Sequence, residues 1–253
     1  MSERAVDHVD DGVDDGVDRT LEALGLARAP REDPLTYPGA WPAESGLLVG
    51  DRLLPLDDRA TYEDRTPVLA IGSNACPGQL RHKMAEFGID SPIPMLKVRV
   101  TGVEVGVSAH VSRVGYVSAS PVKAPDVVRE LFVTWFDTRQ LAVVDASEGA
   151  YDRTWLPESE CHVELGSGEL LRGVYVYVNR HGVLHDGTGV PRRHPGERAL
   201  LTELLSGSRE LRALFGRTPE EFCERARGDR ELCERGTRLF REEGLVTASG
   251  LER

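Results

Sequence analysis

Residues 68–80 read VLAIGSNACPGQL. The stretch begins as an apolar run, becomes polar after Gly72, and then contains a proline at the start of a helix pattern. The apolar run at 68–71 predicts a short buried strand. Gly72 frees the backbone to turn, and Pro77 is typical of the first turn of a helix, because its missing N–H has no intrahelical partner there. Cys76 is then the N-cap. The stretch therefore predicts a strand, a polar loop and a helix N-terminus, a combination that favours a carboxylate or phosphate ligand. An ordinary strand-to-helix connection would show the same pattern.

A second informative stretch is LAVVDASEGAYDRTWLP, residues 141–157. Asp137 is typical of an N-cap, and the pattern predicts a helix from 138 to about 148. Asp145 and Glu148, three residues apart, then share one helix face. Glu148 meets the negative end of the helix dipole, and both this dipole and Asp145 favour its protonated form. The position suits a general base, but a solvated acid paired with Arg153 would fit the same residues.

The remaining pattern predicts an α+β protein with strands in the middle and helices at the end. Alternating valines predict a strand at 97–111 that bends at Gly102 or Gly106. Four further strands are predicted at 115–119, 127–136, 161–165 and 174–178. Four helices are predicted at 199–205, 209–215, 219–226 and 230–243.

Composition divides the chain into four segments. Residues 1–18 are acidic and poor in apolar side chains, which predicts a disordered tail. Residues 19–66, with a short helix candidate at 21–27, read as an extension that wraps a core domain at 67–190. Residues 191–253 read as a helical C-terminal extension.

The net charge of −11 and the absence of a basic footprint predict that nucleic acid is not a partner. No apolar run approaches the ~20 residues of a membrane span, and the N-terminus does not resemble a signal peptide. The four cysteines are scattered without a C-x-x-C pair, which argues against a disulfide framework or a structural zinc site. We therefore expect a cytoplasmic protein, with no signal for its oligomeric state.

Two motifs, in this order and about 75 residues apart, resemble the gamma-glutamylcyclotransferase-like family. That family shows a Y-G-S-N-L loop and a later L-D-x-x-E-G segment followed by Y-x-R. Here they read Ile71-Gly72-Ser73-Asn74-Ala75, Val144-Asp145-Ala146-Ser147-Glu148-Gly149 and Tyr151-Asp152-Arg153. The resemblance covers about residues 66–180. It departs from the family at Ile71, where an aromatic is usual, and at Ala75, where a larger apolar residue is usual.

The resemblance implies a small mixed β-barrel with surrounding helices. It implies an enzyme of the acyltransferase or lyase type that needs no metal or cofactor and acts on a small γ-glutamyl substrate. The α-amine of the substrate attacks the γ-carbonyl and releases 5-oxoproline and an amine. By resemblance Glu148 is the catalytic residue, the loop Ile71, Gly72, Ser73, Asn74 and Ala75 binds the γ-glutamyl part through backbone N–H groups, and Tyr151 helps to close the pocket.

Other readings of the same residues remain open. A binding or scaffold module could keep the pocket without catalysis, and an amide acyltransferase or hydrolase could use the same glutamate. Cys76 at a helix N-cap could act as a thiolate nucleophile. His181 and His185 have the spacing of zinc ligands on a helix, although Gly182 favours a loop there.

Overall fold

The computed structural model describes residues 18–56, 62 and 64–253. Except for Asp18, the predicted acidic tail at residues 1–18 lies outside the described residues. None of the helices in the described part of the chain has the length and apolar character that a membrane crossing requires.

Within the described residues the chain forms ten strands joined in one mixed sheet. Their bounds are β1 (Gly46–Val49), β2 (Arg52–Pro55), β3 (Thr66–Ala70), β4 (Ile93–Val111), β5 (Val117–Phe136), β6 (Tyr151–Pro157), β7 (His162–Glu164), β8 (Gly173–Asn179), β9 (Val183–Leu184) and β10 (Val246–Thr247). The main order is β10-β9-β4-β5-β3-β8-β6, and β1, β2 and β7 lie off this path. Among the pairings of these described strands, only that of β3 with β8 is parallel.

The α+β class is confirmed, but the sheet is not closed into the expected small barrel. In the described strands, β6 pairs only with β8 and β10 pairs only with β9, so the path has two open ends. Its largest part is one long antiparallel hairpin of β4 and β5, and each of these strands also pairs with further neighbours.

The long hairpin corrects the prediction of separate strands at 115–119 and 127–136, because β5 runs without a break from 117 to 136. Pairing passes from Thr101↔Val128 to Gly102↔Ala124, so residues 125–127 bulge out and the strand bends without ending. The predicted bend at Gly102 is confirmed. Its φ is +107°, and a Cβ there would lie 2.7 Å from the carbonyl oxygen of Glu160.

Six helices complete the described fold: α1 (Pro77–Ala85), α2 (Thr138–Ser147), α3 (Glu197–Gly207), α4 (Arg209–Phe215), α5 (Pro219–Gly228) and α6 (Arg230–Glu242). All were predicted to within a few residues. Cys76 is the N-cap of α1, as predicted, and Pro77 occupies its first turn. Asp137 caps α2 through a capping box in which its side chain accepts from the Gln140 N–H and the Gln140 side chain accepts from the Asp137 N–H.

Replacement of this cap gives a first testable prediction. We expect Asp137→Ala to lower the free energy of unfolding by about 1–2 kcal/mol, because it also removes the bond that the Ser91 hydroxyl donates to Asp137 at 2.7 Å. Asp137→Asn keeps an acceptor and should recover part of the loss. Urea unfolding measures both, and equal stability of Asp137→Ala and the wild type would contradict the role of the cap.

The extension differs from expectation at its start. Residues 21–25 form turns and no helix, because Gly25 adopts a φ of +70° and the Leu26 N–H bonds back to the Leu21 carbonyl at 2.7 Å. The strands β1 and β2 also lie within the extension, and β1 pairs with β4.

Three buried clusters hold the elements together. One lies within the central strands and includes Val100, Val133 and Val176. A second joins the ends of β4 and β5 to α3, α4, α5 and α6. The third joins the N-terminal extension to β3, α1 and α2. Both predicted extensions therefore share buried side chains with the central strands.

Candidate active site

The loop after β3 and the C-terminal end of α2 face one open cavity of about 1130 Å³. Its walls also include the turn between β4 and β5 and one face of α6. Six of the seven predicted site residues line it: Ile71, Gly72, Ser73, Asn74, Glu148 and Tyr151. Ala75 does not line the cavity. Its side chain is fully buried in the third cluster.

Glu148 is held at the cavity wall by two donors on its Oε1 atom. The Asn74 amide nitrogen donates at 3.1 Å and the Lys83 ammonium at 3.2 Å. Lys83 also donates to the Asn74 Oδ1 atom at 2.8 Å, so the three side chains form a closed triangle. No hydrogen bond from the described part of the chain reaches the Glu148 Oε2 atom, which is therefore the oxygen available to a ligand.

Lys83 is the residue that sequence reasoning missed. Its side chain is 6% exposed and forms an ion pair with Glu148, whose side chain is 17% exposed. The expectation that the helix dipole and Asp145 dominate the surroundings of Glu148 is therefore incomplete, because a buried cation lies against its carboxyl group. One signal was present: Gln79 and Lys83 stand four residues apart on α1, beside buried Leu80 and Met84, and a lysine on such a face needs a partner.

The side chains of Asp145 and Glu148 contact different parts of the structure, although the two residues are only three positions apart. Asp145 accepts from the Tyr177 hydroxyl at 2.7 Å and pairs with Arg153 at 3.0 Å. Arg153 thus pairs with Asp145 and not with Glu148. Burial raises the pKa of Tyr177, and the Asp145 carboxylate adds to this shift. Asp145 therefore fixes the end of α2 to β6 and β8, while Glu148 alone faces the cavity.

The predicted loop turns through a short 3₁₀ helix at Ser73–Ala75. The N–H groups of Ala75 and Cys76 bond to the carbonyls of Gly72 and Ser73, both at 3.0 Å. These two N–H groups are therefore already used within the loop. Only its earlier N–H groups can serve the predicted role of binding a substrate.

Tyrosines from two other segments support this loop. Tyr37, in the N-terminal extension, accepts from the Ala119 N–H at 2.8 Å and stacks on Tyr116 with ring centroids 4.5 Å apart. Burial raises the pKa of both hydroxyls, so both stay neutral. Both rings line the cavity, as do Tyr151 and Tyr177.

Close packing against Tyr37 explains the glycine at 72. A Cβ on Gly72 would lie 2.3 Å from the Tyr37 hydroxyl oxygen. We expect Gly72→Ala to cost about 1–3 kcal/mol of stability. Tyr37→Phe alone should also destabilise, because it leaves the Ala119 N–H unpaired. The double variant should lose less than the sum, because removing the oxygen relieves the clash. Urea unfolding of all four proteins measures this coupling, and strictly additive losses would contradict it.

Tyr151 lies at the base of the cavity and is anchored there. Its hydroxyl donates to the Ala119 carbonyl at 2.9 Å and lies 2.5 Å from the Ser118 hydroxyl. Burial, and then the nearby Glu148 carboxylate, raises the pKa of Tyr151 to about 12. The ring is therefore neutral and fixed, which fits a wall of the cavity better than a movable cover.

The surroundings of Cys76, His181 and His185 do not support the chemistry considered for them. Burial raises the pKa of the Cys76 thiol, which opposes a thiolate. His185 bonds to the Gly244 carbonyl at 2.7 Å, whereas His181 stacks on His110, so the two do not converge. In residues 18–56 and 64–253, no group of three or more His, Cys, Asp or Glu side chains is placed to hold a metal ion.

Comparisons with known proteins find similarity among solved structures. No family model matches this chain, and no curated protein does. A structure described as gamma-glutamyl cyclotransferase is 13% identical, covering 69% of this chain and 99% of its own, with a TM-score of 0.36. The solution structure of Arabidopsis thaliana At5g39720.1 is 14% identical, covering 48% of this chain and 74% of its own, with a TM-score of 0.35. The Homo sapiens protein loc79017 is 15% identical, covering 46% and 68%, with a TM-score of 0.33. Scores and identities this low establish neither a family nor a function.

Proposed function

We propose that this protein is an enzyme of the gamma-glutamylcyclotransferase type, which cleaves a γ-glutamyl amide and releases 5-oxoproline and an amine. One observation carries the proposal: the 3.1 Å hydrogen bond from Asn74 to Glu148. The bond joins the two sequence motifs across 74 residues and sets both against one cavity.

Glu148 has the contacts that a proton shuttle needs. In the proposed reaction its carboxylate takes a proton from the substrate α-ammonium, and the neutral amine attacks the γ-carbonyl carbon. The ring nitrogen then loses a second proton, the original C–N bond breaks, and both protons end on the leaving amine. The available Oε2 atom faces the substrate, while Asn74 and Lys83 hold Oε1 in place.

The loop and the folded geometry of the substrate are proposed to lower the rest of the activation barrier. Attack on the γ-carbonyl places negative charge on its oxygen, and early N–H groups of the loop, at Ser73 and Asn74, are the donors proposed to stabilise it. Because nucleophile and carbonyl belong to one molecule, holding the substrate folded supplies much of the rate. These steps require only groups of this chain and of the substrate.

A direct assay tests the reaction. Purified protein is incubated with γ-glutamyl amines, γ-glutamyl dipeptides and glutathione, and 5-oxoproline is measured by mass spectrometry. The proposal predicts release from at least one class of compound.

Other products would identify the alternatives. Release of free glutamate would indicate an amide hydrolase that uses the same glutamate. Ligand-induced thermal stabilisation with no product from any compound would indicate a binding module on the same fold. Either result would overturn the proposed reaction.

We also propose a cytoplasmic location for this activity. The four cysteines, Cys76, Cys161, Cys223 and Cys233, are all unpaired and buried, which suits a reducing compartment.

A further inference from the structure

The cavity is positively charged although the protein is acidic. Eight of its lining residues are lysine or arginine and two are carboxylates, whereas the whole chain has a net charge of −11. Some of these cations are neutralised locally: Lys83 pairs with Glu148, and Arg230 pairs with Glu234 at 2.8 Å. Arg31 and Arg180 also pair with carboxylates, those of Glu86 and Asp152, and Arg227 donates to two backbone carbonyls. The other three cations lie in α6 and in the turn between β4 and β5.

These three arginines form no ion pair within the described part of the chain: Arg113, Arg238 and Arg241. Arg113 lies in the turn between β4 and β5, and Arg238 and Arg241 lie three residues apart on one exposed face of α6. The Val111 N–H donates to the Thr237 hydroxyl at 3.0 Å, which fixes α6 beside that turn. We call these three residues the arginine wall.

Two histidines beside the arginine wall add unused hydrogen-bonding capacity. The rings of His110 and His181 stack with centroids 5.3 Å apart and planes 8° apart, and both line the cavity. The Nδ1 atom of His110 is buried without a hydrogen-bond partner in the described structure. A buried ring nitrogen without a partner is costly, and a ligand in the cavity would relieve that cost.

Burial is the largest cause of the lowered pKa of both rings, and neighbouring side chains add to it. Burial, then His181 and Arg113, lowers the pKa of His110 to about 4. Burial, then Arg241 and Arg180, lowers the pKa of His181. The charges of nearby arginines therefore act on both rings and disfavour their protonated forms.

We infer that the arginine wall binds a phosphomonoester group on the amine part of the substrate, so that the substrate class is a γ-glutamyl amide of a phosphorylated amine. The γ-glutamyl half of this inference rests on the proposed function. Guanidinium groups bind phosphate through paired N–H bonds, and three unpaired guanidinium groups match a doubly charged phosphate better than a single carboxylate. The volume of about 1130 Å³ leaves room for both halves.

Calorimetric titration with two matched compounds tests the inference. The probes are γ-glutamyl-O-phosphoethanolamine and γ-glutamylethanolamine, which lacks the phosphate, titrated into the Glu148→Gln protein so that neither is consumed. We expect the phosphorylated compound to bind at least about tenfold more tightly. The double variant Arg238→Gln, Arg241→Gln, made in the same background, should remove that advantage. Arg235→Gln is the matched control, since Arg235 is exposed on α6 but does not line the cavity, and it should leave both affinities unchanged.

The outcomes separate this inference from the proposed reaction. Equal affinities for the two probes would overturn the inference that the arginine wall binds phosphate, even if the wild type releases 5-oxoproline from both. An equal loss in Arg235→Gln would overturn it too, because general surface charge would then explain the preference. Tight binding that depends on Arg238 and Arg241, without 5-oxoproline release by the wild type, would overturn the reaction and leave the anion site standing.

Discussion

Glu148→Gln is expected to lower 5-oxoproline release by about 10²–10⁴-fold, which is the usual contribution of general acid–base catalysis. The amide of glutamine can still accept from Asn74 and Lys83, but it cannot take a proton from the substrate ammonium. Because the substitution conserves shape, the fold and the affinity for substrate should persist. Single-turnover rates and calorimetry on the same protein separate the two effects.

Asp145→Asn is the matched control for this experiment. Asp145 lies on the same helix, three residues earlier, but it bonds to Tyr177 and Arg153 and not to Glu148. Its replacement should change turnover by only a few-fold. A Glu148→Gln protein with wild-type turnover would exclude Glu148 as the proton carrier. An equally large loss in Asp145→Asn would show that damage at the end of α2, and not lost chemistry, explains both.

Lys83→Met is the second variant expected to have a large effect. It leaves Glu148 without its cation and leaves the Asn74 Oδ1 atom without its 2.8 Å donor. Breaking one side of a buried pair costs about 3–5 kcal/mol, and the lower part of this range applies because Glu148 is partly exposed. Turnover should fall as well, because the Glu148 Oε1 atom loses the 3.2 Å donor that holds the carboxyl group in position.

Lys97→Met is the control for Lys83→Met. Lys97 pairs with Glu130 at 3.3 Å, but both side chains are exposed, and such pairs contribute roughly 0–1 kcal/mol. Urea unfolding and turnover should therefore both show little change. If Lys83→Met lowered stability but left turnover unchanged, Lys83 would have a purely structural role.

The sequence predicted those parts of the site that depend on short local patterns. A glycine after an apolar strand and an acid at a helix end are visible within about ten residues of each motif. Lys83 and Tyr37 were not predicted, because their roles depend on contacts across 65 and 82 residues, to Glu148 and Ala119. A lysine on a partly apolar helix face signals a buried partner, but it does not identify that partner.

The fold shows the same division between local and distant information. Helices in the C-terminal region were predicted closely, since caps such as Thr218 and glycines such as Gly216 mark their ends. The prediction of a closed barrel was wrong, because closure depends on which strand edges meet, and these edges lie far apart in the sequence. The continuous β5 was also missed. Its sequence contains Pro121 and Pro125, and from sequence alone a bulge within one strand looks the same as a gap between two strands.

The second buried cluster has a consequence for synthesis on the ribosome. The residues of β4 and β5 that it contains, Val107, Ala109, Val111 and Val117, are covered by helices that are translated later. A nascent chain that has reached only about residue 190 therefore exposes this apolar surface, and such surfaces favour aggregation. Truncated or stalled chains should accumulate as chaperone-bound species. The cavity itself forms only after α6 has left the ribosome, because residues of α6 line it.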